Sequence, residues 1–174
     1  MRKKVGTTKI GLNFRYKLVG MAFSREKLLA DLEAIVLATN DRTASLQTAA
    51  NLLKNQRNYR WVGLYDVDRR GGVVTNIVWS GPGTPENPAF PIANGLTGAA
   101  ISERKTVNVG DVNTDPRYLT AFGTTRSEII VPVFDREGNV VGTIDVESED
   151  TNAFGAEEQA LLEACSRVIR PLWL

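Results

Sequence analysis

Residues 127–148 read "SEIIVPVFDREGNVVGTIDVES". Two runs rich in Ile, Val and Thr flank Glu137 and Gly138, the pattern of a β-hairpin. Acids stand in runs that are otherwise largely apolar: Glu128 opens the first, and Asp145 and Glu147 close the second. Side chains alternate along a strand, so Asp145 and Glu147 share one face, roughly 6.5–7 Å apart. Val141 and Thr143 are expected on that face with them, and Gly142, Ile144, Val146 and Ser148 on the other. The turn sets what stands opposite. A two-residue loop at Glu137 and Gly138 pairs Arg136 with Asn139, Glu128 with Glu147 and Ile130 with Asp145, gathering three carboxylates in one patch. A three-residue loop moves the register by one and sends Glu128 to the other face. The sequence leaves both open.

Three carboxylates this close repel one another and raise at least one pKa unless a cation joins them. Arg126, a metal ion and a ligand's ammonium group are the candidates. A metal is disfavoured, because no acidic stretch has calcium-loop spacing and the chain contains no histidine. The plainer alternative is a solvated strand face with no task.

Outward from the hairpin, residues 110–126, "GDVNTDPRYLTAFGTTR", form a long irregular stretch, and loops of that length tend to be functional or mobile. Before it, "TVNV" is a short strand and "NGLTGAAISER" a short helix entered through glycine. The free N–H groups at that entry suit a carboxylate or phosphate; a tight, closely packed turn explains the same glycines. The stretch has neither the GK[ST] ending of a Walker loop nor a full GxGxxG. "RWVGLYDV" and "VVTNIVWS" form a first hairpin around "DRRGG". Its Trp61, Tyr65 and Trp79 either wall a pocket for an apolar or cationic ligand or fill the core. Residues 81–91 hold four prolines and two glycines and read as a loop.

Leu28, Leu29, Leu32, Ile35 and Val36 recur at helical spacing behind a Ser24 cap, and Leu46, Ala49, Ala50 and Leu53 mark a second helix. Phe154, Leu161, Leu162, Cys165, Val168 and Ile169 stripe a last helix that ends at Pro171. Helices at both ends around a run of strands predict an α+β fold, an antiparallel sheet with helices on one face.

The 174 residues suit one domain, expected over residues 21–174. With 43% hydrophobic and 24% charged residues and a net charge of +1, no global field argues for nucleic acid or a membrane. Residues 1–20 carry Arg2, Lys3, Lys4, Lys9, Arg15 and Lys17 and no acid, a basic leader expected to be disordered. Arg15 and Lys17 interrupt any signal-like apolar run, and no run approaches the ~18 residues that span a bilayer, so a cytoplasmic location is expected. The single cysteine, Cys165, excludes an intramolecular disulfide and sits where a buried structural thiol is expected. Without histidine there is neither a Ser-His-Asp triad nor a histidine-bound zinc.

Six stretches, in this order, resemble the GAF family of small-molecule-binding domains: "NYRWVGLYDV", "NGLTGAAI", "VGDVNTDP", "SEIIVPV", "GNVVGTIDVES" and "FGAEEQALLEAC". They run from Asn58 to Cys165. More narrowly they look like the GAF enzymes that reduce free methionine-(R)-sulfoxide. The resemblance implies about six antiparallel strands, terminal helices on one face and a ligand pocket under loops on the other. It also implies that the acids holding substrate map onto Glu128, Asp145 and Glu147. The catalytic side does not carry over. Those enzymes read GVCG where this chain reads "GLTG", so Thr97 stands at one cysteine position and Ala121 at a second. Sulfoxide reduction needs an attacking thiolate and a resolving thiol, which a threonine hydroxyl cannot replace.

The expected function is therefore non-catalytic binding of a small molecule, an amino-acid derivative, in a sensor or regulatory protein. The expected ligand-binding set is Glu128, Asp145 and Glu147 with Ser127, Thr97, Gly98, Asp111, Trp61 and Tyr65; no catalytic residue, metal ligand or cofactor is expected. An atypical sulfoxide reductase is the alternative, as is a dimerisation module with a vestigial pocket. Expected partners are a second copy, docked through the terminal helices at Leu28, Leu32, Ile35 and residues 171–174, and a separate signalling chain; nucleic acid and membrane are not expected.

Overall fold

Ser24 accepts a hydrogen bond from the Lys27 N–H at 3.2 Å and so starts α1, Arg25–Ala38. Asp41 does the same for α2, Arg42–Arg57, accepting from Ala44 at 3.0 Å. Both are side-chain caps that relieve donors a helix start leaves free. The computed structural model describes residues 23–38 and 41–174, and the basic leader expected over residues 1–20 lies outside the described residues. After α2 the chain runs β1 (Trp61–Asp68), β2 (Val73–Ser80), β3 (Ala89–Pro91), α3 (Gly95–Glu103), β4 (Val107–Val109), β5 (Ser127–Phe134), β6 (Val140–Ser148) and α4 (Ala156–Ile169). The six strands make one antiparallel sheet in the order β3-β2-β1-β6-β5-β4, the number the family resemblance implies. Strand β3 falls inside the stretch expected to be wholly loop. Its three residues pair with Val73, Val74 and Thr75 at the sheet edge, where prolines are tolerated.

Helices α1, α2 and α4 cover one face. Leu28, Leu32, Leu46, Leu53, Val62, Leu64, Ile129, Val131, Ile144, Val146, Leu162 and Ile169 meet there in a core whose members named here are at most 1% exposed. Leu28 and Leu32 thus face inward, not toward a dimer partner as expected, because the α1 stripe is spent on this core. Phe23, Leu37 and Leu174 are the large apolar side chains left exposed among the described residues. Cys165 lies in the same core, and burial pushes its thiol up to about 12.

The β3–β4 connection must cross from one sheet edge to the other, since β3 and β4 are the two outer strands. It does so over the face opposite α1, α2 and α4, laying α3 across it, with Leu96 and Ala100 packed near Ile130. The long stretch between β4 and β5 folds over what α3 leaves open.

The β5–β6 turn differs from the two-residue reading. Asp135 donates its N–H to the Asn139 carbonyl at 2.9 Å, leaving Arg136, Glu137 and Gly138 as a three-residue loop. By itself that loop would separate Glu128 from the other acids. A bulge restores the register: Phe134 pairs with Val140 and Val133 with Gly142, so Val141 is an extra residue. From there Glu128 faces Glu147 and Ile130 faces Asp145. Val141 pays for the correction by packing with the helix-side core, the face opposite the one expected.

Candidate functional site

Glu128, Asp145 and Glu147 project from two neighbouring strands onto the face that α3 crosses. They are 5%, 4% and 0% exposed, and each offers an oxygen within 4.8 Å of the others. On the far side of β6, β1 brings Trp61 opposite Glu147, Gly63 opposite Asp145 and Tyr65 opposite Thr143. Gly63 is required by close approach: a Cβ there would overlap the Trp61 ring and press on Tyr65. A side chain at this position would push the indole off the acid-bearing strand.

A cavity of about 20 Å³ touches Glu128 and Asp145. Tyr65, Phe90, Leu96, Thr97, Leu119 and Ala121 line it as well. That is room for about one water molecule. The roof is residues 118–125. Phe122 meets Trp61 edge-on at 5.5 Å between ring centroids, and the Arg60 guanidinium lies 4.9 Å over the Phe122 ring. Arg60 also donates to Thr124 at 2.8 Å and pairs with Glu149 at 2.7 Å. The Thr125 hydroxyl donates to Glu147, and Asn87 donates to the Thr120 carbonyl at 3.0 Å. Leu119 sits over Gly95, whose φ of +72° opens α3. That left-handed backbone suits glycine, and a Cβ would stand 3.2 Å from Leu119.

Burial raises all three carboxyls, and mutual repulsion adds to it at Glu128 and Asp145. Burial pushes the Glu128 carboxyl well above its usual range, and the Asp145 and Glu147 charges push it further. Burial and the Glu147 charge do the same to Asp145. Burial pushes Glu147 up to about 7, although the Thr125 hydroxyl and Arg60 pull it down. Tyr65 is held neutral by burial and by the three neighbouring carboxyls. One oxygen on each acid, the Thr143 hydroxyl and the Trp61 indole N–H are buried without a hydrogen-bond partner. Buried polar atoms are nearly always paired, so these atoms are the ones with hydrogen-bonding capacity to spare. Oxygens at this spacing suit a cation.

Of the residues expected here, the fold brings Glu128, Asp145, Glu147, Tyr65, Thr97 and Trp61 to one face. Ser127 points the other way, donating to the Asp150 carbonyl at 2.7 Å, because alternation along β5 puts odd-numbered residues on the helix side. Gly98 is buried against the Ala93 backbone and does not line this cavity. Asp111 caps a single 3-10 turn by accepting from Asn113, and it lines a surface hollow away from the cavity. Arg126 does not neutralise the acids; it is exposed and stands 3.6 Å from Asp111. Thr125, Leu119 and Phe122 went unread because an irregular loop has no period to follow. Thr143 was readable from alternation alone. Thr97 and Ala121, expected from the resemblance to stand at cysteine positions, both line the cavity.

A family model for the GAF domain matches residues 41–170. GAF domain-containing protein A of Dictyostelium discoideum is 31% identical over 137 residues, covering 79% of this chain and 84% of that protein. Free methionine-R-sulfoxide reductase of Saccharomyces cerevisiae is 27% identical, covering 83% of this chain and 82% of its own. Among solved structures, free methionine-R-sulfoxide reductase from Neisseria meningitidis in complex with its substrate superposes with a TM-score of 0.79 at 29% identity, over 86% of this chain and 87% of that one.

Proposed function

The chain belongs to the GAF domain family, and from that premise we propose that it is a non-catalytic, sensor-type domain binding a compact amino-acid derivative. The observation that carries this reading is the set of three buried carboxyls, each with an oxygen that no group among the described residues satisfies. A ligand ammonium takes those oxygens. Its carboxylate takes the N–H groups of Gly95, Leu96 and Thr97 at the start of α3, where Asn94 supplies no side-chain cap. The cavity of about 20 Å³ is too small for an amino acid, so the roof over residues 118–125 moves aside on entry. Catalysis is not part of this reading, since Thr97 and Ala121 offer no thiol and Cys165 is buried in the core on the opposite face of the sheet. A separate signalling chain reads out the bound state. A homodimer belongs to the reading too, favoured by Leu37, 86% exposed on α1, and Leu174, 61% exposed at the other terminus.

The test is calorimetric titration with L-methionine and L-methionine-(R)-sulfoxide. Glu128→Ala and Asp145→Ala are each expected to weaken binding at least tenfold, since a charge-assisted hydrogen bond contributes about 1.5–3 kcal/mol. Unchanged titrations for both variants would reject the assignment. In a coupled assay, free methionine sulfoxide is expected to give no turnover. Turnover that disappears in Cys165→Ser would instead make the protein an atypical reductase. Light scattering on wild type and Leu37→Glu tests the dimer: a monomer in both removes it.

A further inference from the structure

Glu128 and Asp145 each offer a carboxyl oxygen within 4.8 Å of the other, and both are buried. Two buried carboxyls this close repel as anions and favour a proton on at least one of them. Glu147 stands within the same 4.8 Å, and none of the three is more than 5% exposed, so water screens little of their repulsion. Among the described residues, one cation reaches the cluster: Arg60, just before β1, draws on Glu147, and it is shared with Glu149 and Thr124. From β1 comes Tyr65, a neutral phenol. The roof contributes Tyr118, another neutral phenol, and the loop before it Asp115, whose charge adds to the repulsion at Glu128. Helix α3 contributes Thr97, which carries no charge.

We infer that the unliganded cluster stores protons and that a primary ammonium enters in exchange for them, so that binding releases protons to solvent. This rests on the ammonium-binding reading above. In the exchange, a carboxyl O–H bond breaks, its electron pair stays on oxygen, and the proton passes to the buffer. The ammonium N–H groups then donate to the freed carboxylates. A primary ammonium has three N–H donors, matching the unpartnered Glu128 Oε2, Asp145 Oδ1 and Glu147 Oε1. A quaternary ammonium has none and leaves the three oxygens as they were. The raised carboxyls agree in direction: burial favours the protonated form of each.

Two measurements decide it. Infrared spectra of the ligand-free protein near pH 6 are expected to show a protonated-carboxyl carbonyl band that weakens in Asp145→Asn and in Glu128→Gln. Absence of that band overturns proton storage whether or not any ligand binds. Titration of L-methionine in two buffers of different protonation heat is expected to show proton release on binding near pH 6.5. Affinity should then rise about tenfold per pH unit for each proton released, over the range in which the ligand-free cluster keeps its protons. Heats that do not depend on the buffer overturn the exchange while leaving the binding site standing. If L-methionine and L-methionine-(R)-sulfoxide both fail to bind, the proposed function falls, and the infrared band still decides the storage. Glycine betaine is the control, expected to bind at least tenfold more weakly than L-methionine; equal binding overturns the three-donor match.

Discussion

The two faces of the sheet are built on opposite rules. Under α1, α2 and α4, alternate residues of β1, β5 and β6 are Leu, Ile and Val, and the core closes on them with largely apolar side chains. Across the same strands, the intervening residues include Glu128, Asp145, Glu147 and Thr143, almost as buried and left partly unpartnered. Burial on the first face is stabilising in itself. On the second it costs stability, because the same desolvation acts on groups that prefer to be charged. One backbone thus carries a stable face and a poised one, and the poised face is where a ligand has most to contribute.

Breaking the first face should have the largest effect. Leu162 is fully buried, and Leu162→Ala is expected to cost roughly 2–5 kcal/mol in urea unfolding, with ligand affinity unchanged in the folded protein. A loss below 1 kcal/mol would mean that the helix side is loosely packed.

The second face should respond to pH with the sign of a raised carboxyl. The folded state keeps the Glu147 proton up to about 7, whereas the unfolded chain loses it near 4.5. Below the lower value both states are protonated and no penalty exists. Between the two, stability falls as pH rises, and above the higher value the penalty is complete. For Glu147 this amounts to about 3 kcal/mol. Melts taken across that range should therefore decline toward alkaline pH, and Asp145→Asn should flatten the decline and melt higher at pH 8. A profile that rises with pH would sink the description of this face.

Gly63→Ala should cost about 1–3 kcal/mol by forcing the Trp61 ring aside, visible as a red-shifted tryptophan emission. The smallest effect is expected at Ser127. Its hydroxyl serves the helix side, so Ser127→Ala should cost about 1 kcal/mol and leave ligand affinity untouched. A tenfold loss of affinity in that variant would put the residue back in the site.

Much of this was legible beforehand. The stripes of α2 and α4, the cap at Ser24 and the second strand over residues 73–80 fall where periodicity and turn chemistry put them. The pairing of Glu128 with Glu147 was legible only as one of two registers, and the structure reaches it through a loop of the other length. A bulge at Val141 cancels the extra loop residue, and bulges leave little trace in a strand's alternation. The roof was harder. Residues 118–125 have no repeat, and their positions depend on Arg60, Asn87 and Trp61, all distant in sequence. Asp111 illustrates the limit: it stands in the stretch that leads to the roof, but its side chain is spent on its own turn.

What the order of residues determined by itself was local: which segments wind, which extend, and which face of each strand is apolar, since these follow from spacing along the chain. Folding in three dimensions decided whether three acids from two strands meet, and whether water reaches them. Registers, roofs and desolvation arise from contacts between residues far apart in sequence, and no local pattern encodes them.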